Sequence, residues 1–299
     1  MATLREIKTR ITGVRNTQKI TKAMKMVAAA KLRRAQESIV AARPYARKMG
    51  ELLRHLAGNV DPGIHPLLKP RETKRMLFIV VAGDRGLCGA FNSNIIRAAI
   101  DHAKTHYESL QDEPHGLKYL VVGKKAFDFF NKGGYELYSK HVGIFGGLGF
   151  NHAQNIVREV REGYLKGEFD RVDVVYNEFK SVIQQRIVVE QLLPIPPEEN
   201  KEDEVQKVRT QVEYIYEPSS VEIMNDLLPR HLDFQMWRVL LESNAAEQGA
   251  RMTAMGNATE NARELIRDLT LSYNKARQAG ITKELLEIVS GAEALKQAS

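Results

Sequence analysis

The sequence predicts an α/β protein in which long helices from the two chain ends pair with each other, and two apolar patterns support this fold class. An apolar ladder in alternating steps of three and four residues runs through residues 4–56, and thirteen of its sixteen rungs are apolar. A second ladder with the same rhythm spans residues 234–276, with ten of thirteen rungs apolar. A mean spacing of 3.5 residues is typical of a left-handed coiled coil.

The position of the two ladders suggests how they pair. They lie at opposite ends of the chain with a compact region between them. An antiparallel two-helix coiled coil formed by the N- and C-terminal helices of one chain is therefore the simplest arrangement. A homodimer is the alternative, because a heptad pattern alone fixes neither oligomeric state nor strand direction.

The N-terminal segment, residues 1–58, reads as one helix. Thr3 followed by Glu6 forms a capping-box pattern, which allows a helix to begin almost at the terminus. Gly58 and Pro62 are the first of several residues that end it.

The C-terminal segment, residues 218–299, reads as a second long helix. Ser219 and Glu222 form another capping box. Pro229 is expected to kink or delay the helix, so the continuous stretch is predicted from residue 232 to about residue 296. The glycines within this stretch are expected to let a neighbouring backbone approach closely.

Between these helices, residues 59–217 predict a Rossmann-like α/β domain with a mostly parallel sheet. Continuous apolar runs of strand length alternate with helical stretches, and a hairpin of two alternating runs follows. The predicted strands are 76–83, 118–123, 135–142, 171–179, 186–194 and 211–217, and the predicted helices are 92–107, 126–133 and 151–166.

The positive charge is concentrated in the first helix. The chain has a net charge of +7, whereas residues 1–57 hold 14 Lys and Arg against 3 Asp and Glu. Such a helix could bind nucleic acid, an anionic membrane surface or an acidic protein cavity. Tyr45 is its one aromatic residue, which favours a protein partner over stacked bases. No apolar run reaches 18 residues, so no membrane span is predicted.

Residues with catalytic potential are sparse. The glycine-rich loop 83–89 (GDRGLCG) follows a strand and precedes a helix, as in a phosphate cradle, but it matches neither GxGxxG nor a P-loop. We therefore interpret it as a tight turn at a sheet edge, with Asp84 as a turn or cap residue. Cys88 is the lone cysteine, and the histidines have no metal-ligand spacing. The sequence predicts no active site, metal or cofactor.

The polar rungs of the first ladder, Gln18, Thr21 and Lys25, allow two interpretations. A local stutter would move the apolar face onto Ile20, Met24 and Val27. Alternatively, this stretch faces an external surface through its lysines and flexible methionines.

Several stretches closely resemble the gamma subunit family of F-type ATP synthases. They are NTQKITKAMKMVAAAKL (16–32), RPYA (43–46), DRGLCGAFN (84–92), EQGARMTAM (247–255) and YNKARQAGITKELLEIVSGA (273–292). These motifs cover both ends and the first strand-loop of the middle, in the family's order. Residues 108–217 resemble the family mainly through their α/β pattern.

The resemblance implies a central rotor shaft without catalytic activity of its own. One copy would stand inside a hexamer of alternating alpha and beta subunits, with its α/β domain forming a foot on the epsilon subunit and the membrane c-ring. Proton-driven rotation of the ring would then cycle the catalytic beta subunits through ATP synthesis or hydrolysis. The expected location is the cytoplasmic side of a bacterial plasma membrane, without a membrane span and without nucleic acid as a partner.

The resemblance also implies contact residues. Lys19, Lys22, Met24 and Lys25 would meet an acidic loop of the beta subunit, and Arg251 and Gln278 would make polar contacts to beta subunits. The family's C-terminal signature maps onto Ile281, Thr282, Glu284, Glu287, Gly291 and Ala292.

Overall fold

The computed structural model describes residues 3–57, 65–110, 113, 115–182, 184–196 and 219–297. Its helices are α1 (Leu4–Ala57), α2 (Phe91–His106), α3 (Lys124–Lys132), α4 (Phe150–Leu165) and α5 (Ser220–Gln297). Its strands are β1 (Met76–Val81), β2 (Leu117–Val122), β3 (Leu137–His141), β4 (Arg171–Phe179) and β5 (Gln185–Leu193).

The chain divides into two compact units whose boundaries fall within α1 and α5. The first, here called the paired-helix unit, comprises Met1–Ala28 and Met252–Ser299. The second, called the sheet unit, comprises Ala29–Arg251. Each contains one part of both long helices, and each is described by itself below.

The sheet unit is built on one five-stranded sheet with the order β3-β2-β1-β4-β5. Strands β1 to β4 pair in parallel, and β5 pairs with β4 in antiparallel fashion. The chain moves outward from β1 through β2 to β3 and then crosses to the other side of β1 for β4. This reversal next to the central strand is the topological switch point at which open α/β sheets commonly bind ligands.

Each face of the sheet is covered by helices, and strand alternation supplies two apolar cores. Leu77, Ile79 and Val81 of β1 pack with residues of α4 and α5 in the larger core. Phe78 and Val80, one step out of phase along β1, pack with residues of α2 and α3 in the other. All six residues of β1 are buried, as expected for a central parallel strand with helices on both sides.

The structure confirms the predicted fold class and the order of its described elements. The predicted strand at 211–217 and most of the predicted loop before it lie outside the described residues. The predicted turn residues Gly58 and Pro62 lie outside them as well. Both helix starts are capped as expected: Thr3 and Glu6 exchange both bonds of a capping box, and the N–H of Glu222 donates to the Ser219 hydroxyl.

The prediction that Pro229 delays the last helix is wrong. Helix α5 begins at Ser220 and continues through Pro229 without a break. Met224 and Leu228 on one side of the proline, and Leu232 and Met236 on the other, are buried in the same core at a spacing of four residues. Their common apolar face stabilises a continuous helix despite the backbone hydrogen bond that proline removes.

The expected close approach of a backbone holds at only one of the α5 glycines. A Cβ on Gly249 would lie 3.7 Å from the Val182 carbonyl oxygen and closer still, 3.3 Å, to the Phe179 ring. At Gly256 the neighbour is a lysine side chain, and at Gly280 and Gly291 no described atom lies within 4 Å.

Candidate functional site

The paired-helix unit is an antiparallel pair held by contacts between α1 and α5. The hydroxyls of Thr21 and Thr259 lie 2.8 Å apart, and the side chain of Lys25 passes over Gly256, whose added Cβ would lie 3.7 Å from Lys25 Cε. Facing residue numbers thus rise along one helix as they fall along the other. The prediction of pairing within one chain is confirmed.

The seam includes two of the three polar rungs. Thr21 is buried, and Gln18 is half-buried beside it. The interpretation that the whole polar stretch faces away from the pair is therefore wrong for these two residues. Each hydroxyl also has a carbonyl oxygen of its own helix within hydrogen-bond distance, Gln18 for Thr21 and Met255 for Thr259. When one hydroxyl donates to the other, the second is free to donate to its own helix, so both polar groups have partners inside the seam.

The third polar rung, Lys25, is exposed, and Met24 takes the half-buried position instead. The stutter interpretation nevertheless fails at its other two residues. Ile20 is 60% exposed and Val27 is 57% exposed. The outer face of α1 therefore displays apolar side chains together with lysines.

This outer face is also strongly basic. Residues 7–28 contain six Lys and Arg and no Asp or Glu. All six are exposed, and none forms an ion pair with another residue in the described part of the chain. They are Lys8, Arg10, Arg15, Lys19, Lys22 and Lys25.

The far end of α5, here called the tip, comprises residues 281–292 and is exposed at every position. Because Thr21 faces Thr259, the first residue of α1, Leu4, faces α5 near residue 276, and the tip extends past the reach of α1. Five large apolar side chains of the tip are 48–68% exposed. They are Ile281, Leu285, Leu286, Ile288 and Val289.

The other predicted contact residues of this end are exposed as well. Gln278, Thr282, Glu284 and Glu287 are all exposed. The Thr282 hydroxyl donates to the Gln278 carbonyl oxygen, and Glu287 lies 3.7 Å from Lys283 of the same helix. These local bonds leave the side chains on the surface.

Arg251 is placed differently from the expectation of a surface contact. Its side chain is 11% exposed, forms an ion pair with Glu247 and donates to the Gly86 carbonyl oxygen. Burial raises the pKa of Glu247, and the bond from Arg251 opposes that shift. The guanidinium is thus committed to its own chain, where it holds the loop after β1 against α5.

That loop, residues 83–91, is tied to its surroundings by Asp84. The Asp84 carboxylate accepts the N–H groups of Lys124 at 3.0 Å, Gly143 at 2.7 Å and Phe145 at 3.3 Å. Lys124 is the first residue of α3, whose N-terminal Gly123 has no side chain to cap it. The interpretation of Asp84 as a cap residue is confirmed, although the loop follows the central strand and not a sheet edge.

Asn92, which the sequence reading did not single out, holds the same loop from the other side. Its Oδ1 accepts the Gly83 N–H at 2.8 Å, and its Nδ2 donates to the Arg85 carbonyl oxygen at 3.2 Å and the Cys88 sulfur at 3.1 Å. An asparagine in the first turn of a helix after a glycine-rich loop was the available signal.

The switch point of the sheet is occupied by side chains of α5. The Ser243 hydroxyl donates to the carbonyl oxygen of Val81 at the end of β1. A Cβ added to Gly83 would lie 2.9 Å from Cδ of Glu247. Both α5 residues are buried, so the crevice in which related sheets hold a nucleotide is filled by the protein itself.

The described residues contain neither a metal-ion site nor a membrane-spanning helix. Among them, no group of three or more His, Cys, Asp or Glu side chains is arranged to hold a metal ion. No helix of the described chain is both long enough and apolar enough to cross a bilayer. What distinguishes the molecule is a helix pair with a basic outer face and an unpaired apolar tip, joined in sequence to an α/β domain. These features define a class of α/β protein in which long helices from the two ends of the chain pair with each other.

Comparison with known proteins identifies the family. The family profile described as ATP synthase matches residues 3–295. The ATP synthase gamma chain of Chloroherpeton thalassium is 53% identical over 307 aligned positions, covering 100% of both chains. That of Chlorobaculum tepidum is 52% identical and covers 99% of this chain and 100% of its own. The chain belongs to the ATP synthase gamma chain family.

Solved structures share the fold. A chain of the Euglena gracilis mitochondrial ATP synthase OSCP/F1/c-ring structure aligns with a TM-score of 0.69 at 21% identity, covering 98% of this chain and 94% of that one. A chain from the Tetrahymena thermophila mitochondrial ATP synthase central stalk and c-ring aligns with a TM-score of 0.59 at 25% identity, covering 80% and 99%.

Proposed function

We propose that this chain is the rotor shaft of an F-type ATP synthase, which couples rotation of a membrane c-ring to the catalytic cycle of surrounding beta subunits. The observation that carries the proposal is the tip of α5, where five large apolar side chains are exposed in the part of the helix that extends past α1. Soluble surfaces rarely expose such a contiguous apolar stripe unless another protein covers it. Membership of the ATP synthase gamma chain family supports alpha and beta subunits as the proteins that cover it.

In this proposal the shaft has two contact regions toward a hexamer of alpha and beta subunits. The tip, through Ile281, Thr282, Glu284 and Glu287, would turn within an apolar bearing. Lower on the shaft, Lys19, Lys22 and Lys25 with Met24 would meet acidic beta-subunit groups, because their charges are exposed and unneutralised within the described chain. Gln278 belongs to the same surface, whereas Arg251 would act from inside by holding the loop after β1.

The remaining parts of the proposal concern assembly. One copy would serve each hexamer, and the sheet unit would bind the epsilon subunit and the c-ring at the cytoplasmic side of a bacterial plasma membrane. The chain itself would perform no bond chemistry, so its effect on ATP turnover would be mechanical. The filled switch point of the sheet supports this non-catalytic role.

The direct experiment is reconstitution with alpha and beta subunits of a related bacterial enzyme. We expect one copy of this chain per hexamer and ATP-driven rotation of a bead attached to the sheet unit. Deleting residues 281–299 should lower torque or assembly while leaving the sheet unit folded. A fully coupled truncated enzyme would contradict the role of the tip, and a lone homodimer bound to DNA would contradict the whole proposal.

The role of the basic outer face of α1 is tested by comparing charge reversals on α1 with matched charge reversals on the sheet unit. Reversing Lys19, Lys22 and Lys25 to Glu should weaken hexamer binding and make the residual binding less sensitive to salt. Reversing the exposed Lys104, Lys132 and Lys166 of the sheet unit changes the net charge equally and should leave hexamer binding intact. Calorimetric titration of the isolated chain with ATP should show no micromolar binding.

A further inference from the structure

The loop after β1 combines a fixed main chain with two free side chains. Arg85 is exposed, and Leu87 is 66% exposed. The backbone between them is bonded: the Arg85 carbonyl oxygen accepts from Asn92, and the Gly86 carbonyl oxygen accepts from Arg251. A surface loop without a role would not be expected to have two successive carbonyl oxygens held by side chains of two helices while projecting a large apolar side chain into solvent.

The conformation of Leu87 shows that these bonds act against an intrinsic preference. Its φ angle is 63°, in the left-handed region that non-glycine residues rarely adopt. Such a conformation is unfavourable for a leucine and persists only where its surroundings determine it. The bonds that determine it come from Asn92 at the start of α2, from Arg251 of α5, and from Asp84, which fixes the loop to the segments that follow β2 and β3.

We propose that Asp84 and Asn92 are positioning residues, which hold the loop in one preformed conformation so that Arg85 and Leu87 meet an acidic and partly apolar surface of the complex. This proposal rests on the proposed function for the identity of that complex. Preorganisation is the physical benefit, because a loop that is already ordered loses little conformational entropy on contact. A cation beside an exposed leucine determines the chemistry of the surface that it fits.

Asp84 and Asn92 hold the loop after β1 through different hydrogen bonds. Asp84 supplies a negative charge that accepts three N–H groups, one of them at the N-terminus of α3, where a carboxylate is favoured. Asn92 supplies one acceptor and two donors to the loop itself. Replacing Asn92 by Asp keeps the acceptor for Gly83 and removes both donors, so that the two functions of this side chain can be separated.

The first test is amide hydrogen exchange on the full chain. Asp84→Ala should speed exchange at Lys124, Gly143 and Phe145 by about tenfold or more, because each loses a charge-assisted acceptor. Asp101→Ala, which removes an exposed aspartate of α2, is the matched control and should leave these amides unchanged. Unchanged protection in Asp84→Ala would overturn the proposal. Should that variant fail to fold by Trp237 fluorescence, Asp84→Asn replaces it.

The second test separates positioning from a general loss of stability. In the reconstituted enzyme, proton pumping per ATP is compared for Asp84→Ala, for a variant with Arg85→Ala and Leu87→Ala, and for all three changes together. If Asp84 acts through the loop side chains, its removal lowers coupling in the wild-type background and has no further effect once they are gone. Additive losses, or normal coupling in Asp84→Ala, would overturn the proposal. The same cycle is run with Asn92→Asp.

These outcomes are distinguishable from failure of the proposed function. If the wild-type chain formed no rotating complex, the proposed function would fall, while the exchange experiment would still decide whether Asp84 and Asn92 fix the loop. If the wild-type enzyme rotated and the cycle were additive, only the positioning proposal would fall.

Discussion

Two parts of the same helix, α5, differ in what surrounds them. Between Met224 and Leu240, the core face of α5 is buried in the larger core of the sheet unit, and Leu232, Met236 and Leu240 are fully buried. In the tip, residues 281–292 are exposed without exception. Both segments are apolar, so composition does not separate them. The comparison shows that the apolar side chains of the first segment form the core of the sheet unit, whereas those of the tip are not covered by any described part of the chain.

The largest expected effect comes from weakening the buried segment. Leu240→Ala should lower the free energy of unfolding by about 3 kcal/mol, since it removes fully buried methyl groups and leaves a cavity. Urea unfolding followed by the fluorescence of Trp237, the one tryptophan, measures this in the sheet unit. Leu285→Ala in the tip makes the same chemical change and should shift stability by less than about 0.5 kcal/mol. Equal losses in the two variants would abolish the distinction.

A second prediction concerns pH and the buried segment. Burial, assisted by nearby Arg238, lowers the pKa of His231 from 6.5 to about 4. The unfolded chain therefore binds more protons than the folded chain between those two pH values. Stability from this residue is present above pH 6.5 and is lost as pH falls toward 4, by up to about 3 kcal/mol.

His231→Gln should accordingly make the stability of the sheet unit less dependent on pH in that range. Urea midpoints at pH 4.5 and 7, again from Trp237, provide the measurement. A variant that keeps the full wild-type slope would show that other groups cause it.

The third and smallest of the predicted losses of stability concerns the seam between α1 and α5, which is less buried than the core of the sheet unit and less exposed than the tip. Thr21→Val should destabilise the paired-helix unit by about 1 kcal/mol, because it removes one hydroxyl of a bonded pair. The double variant with Thr259→Val should cost less than the sum of the single changes, since an apolar pair of the same shape leaves no polar group unmatched. Amide exchange over residues 14–28 reports the change, and strict additivity would mean that the two hydroxyls do not interact.

The features that were predictable from sequence are those with a repeat. The ladders gave the long helices and their pairing because each rung depends only on its own helix. The strands were equally readable, as buried parallel strands are continuous apolar runs. The delay predicted at Pro229 was wrong because helix propensity is a local property that disfavours proline. The buried residues on either side of Pro229 stabilise the helix through contacts with the core of the sheet unit.

The candidate site was harder to predict in its details. Gln18 and Thr21 interrupt the apolar pattern of the first ladder, so an outward orientation was one interpretation of them. The sequence does not show that Thr259, on the other helix, lies opposite Thr21 with a matching hydroxyl. The bond from Arg251 to the Gly86 carbonyl oxygen joins residues far apart in sequence, which no local pattern encodes. The bonds of Asn92 are local, but the loop they hold becomes visible only in the structure. The exposure of the lysines was predictable from their charge, whereas that of the tip was not, because it depends on how far α5 extends past α1 in the pair.

The uninterrupted positive charge of α1 has a consequence for the free chain. Arg15 and Lys19 are one turn apart, as are Lys22 and Lys25, and no carboxylate lies between residues 7 and 28 to offset their repulsion. The positive charges of α1 therefore repel one another in the free chain, and added salt screens this repulsion. Unlike a helix stabilised by surface ion pairs, this one should become more stable at higher ionic strength. An acidic surface placed against α1 would remove this repulsion, so binding to such a surface should stabilise α1 most strongly at low ionic strength.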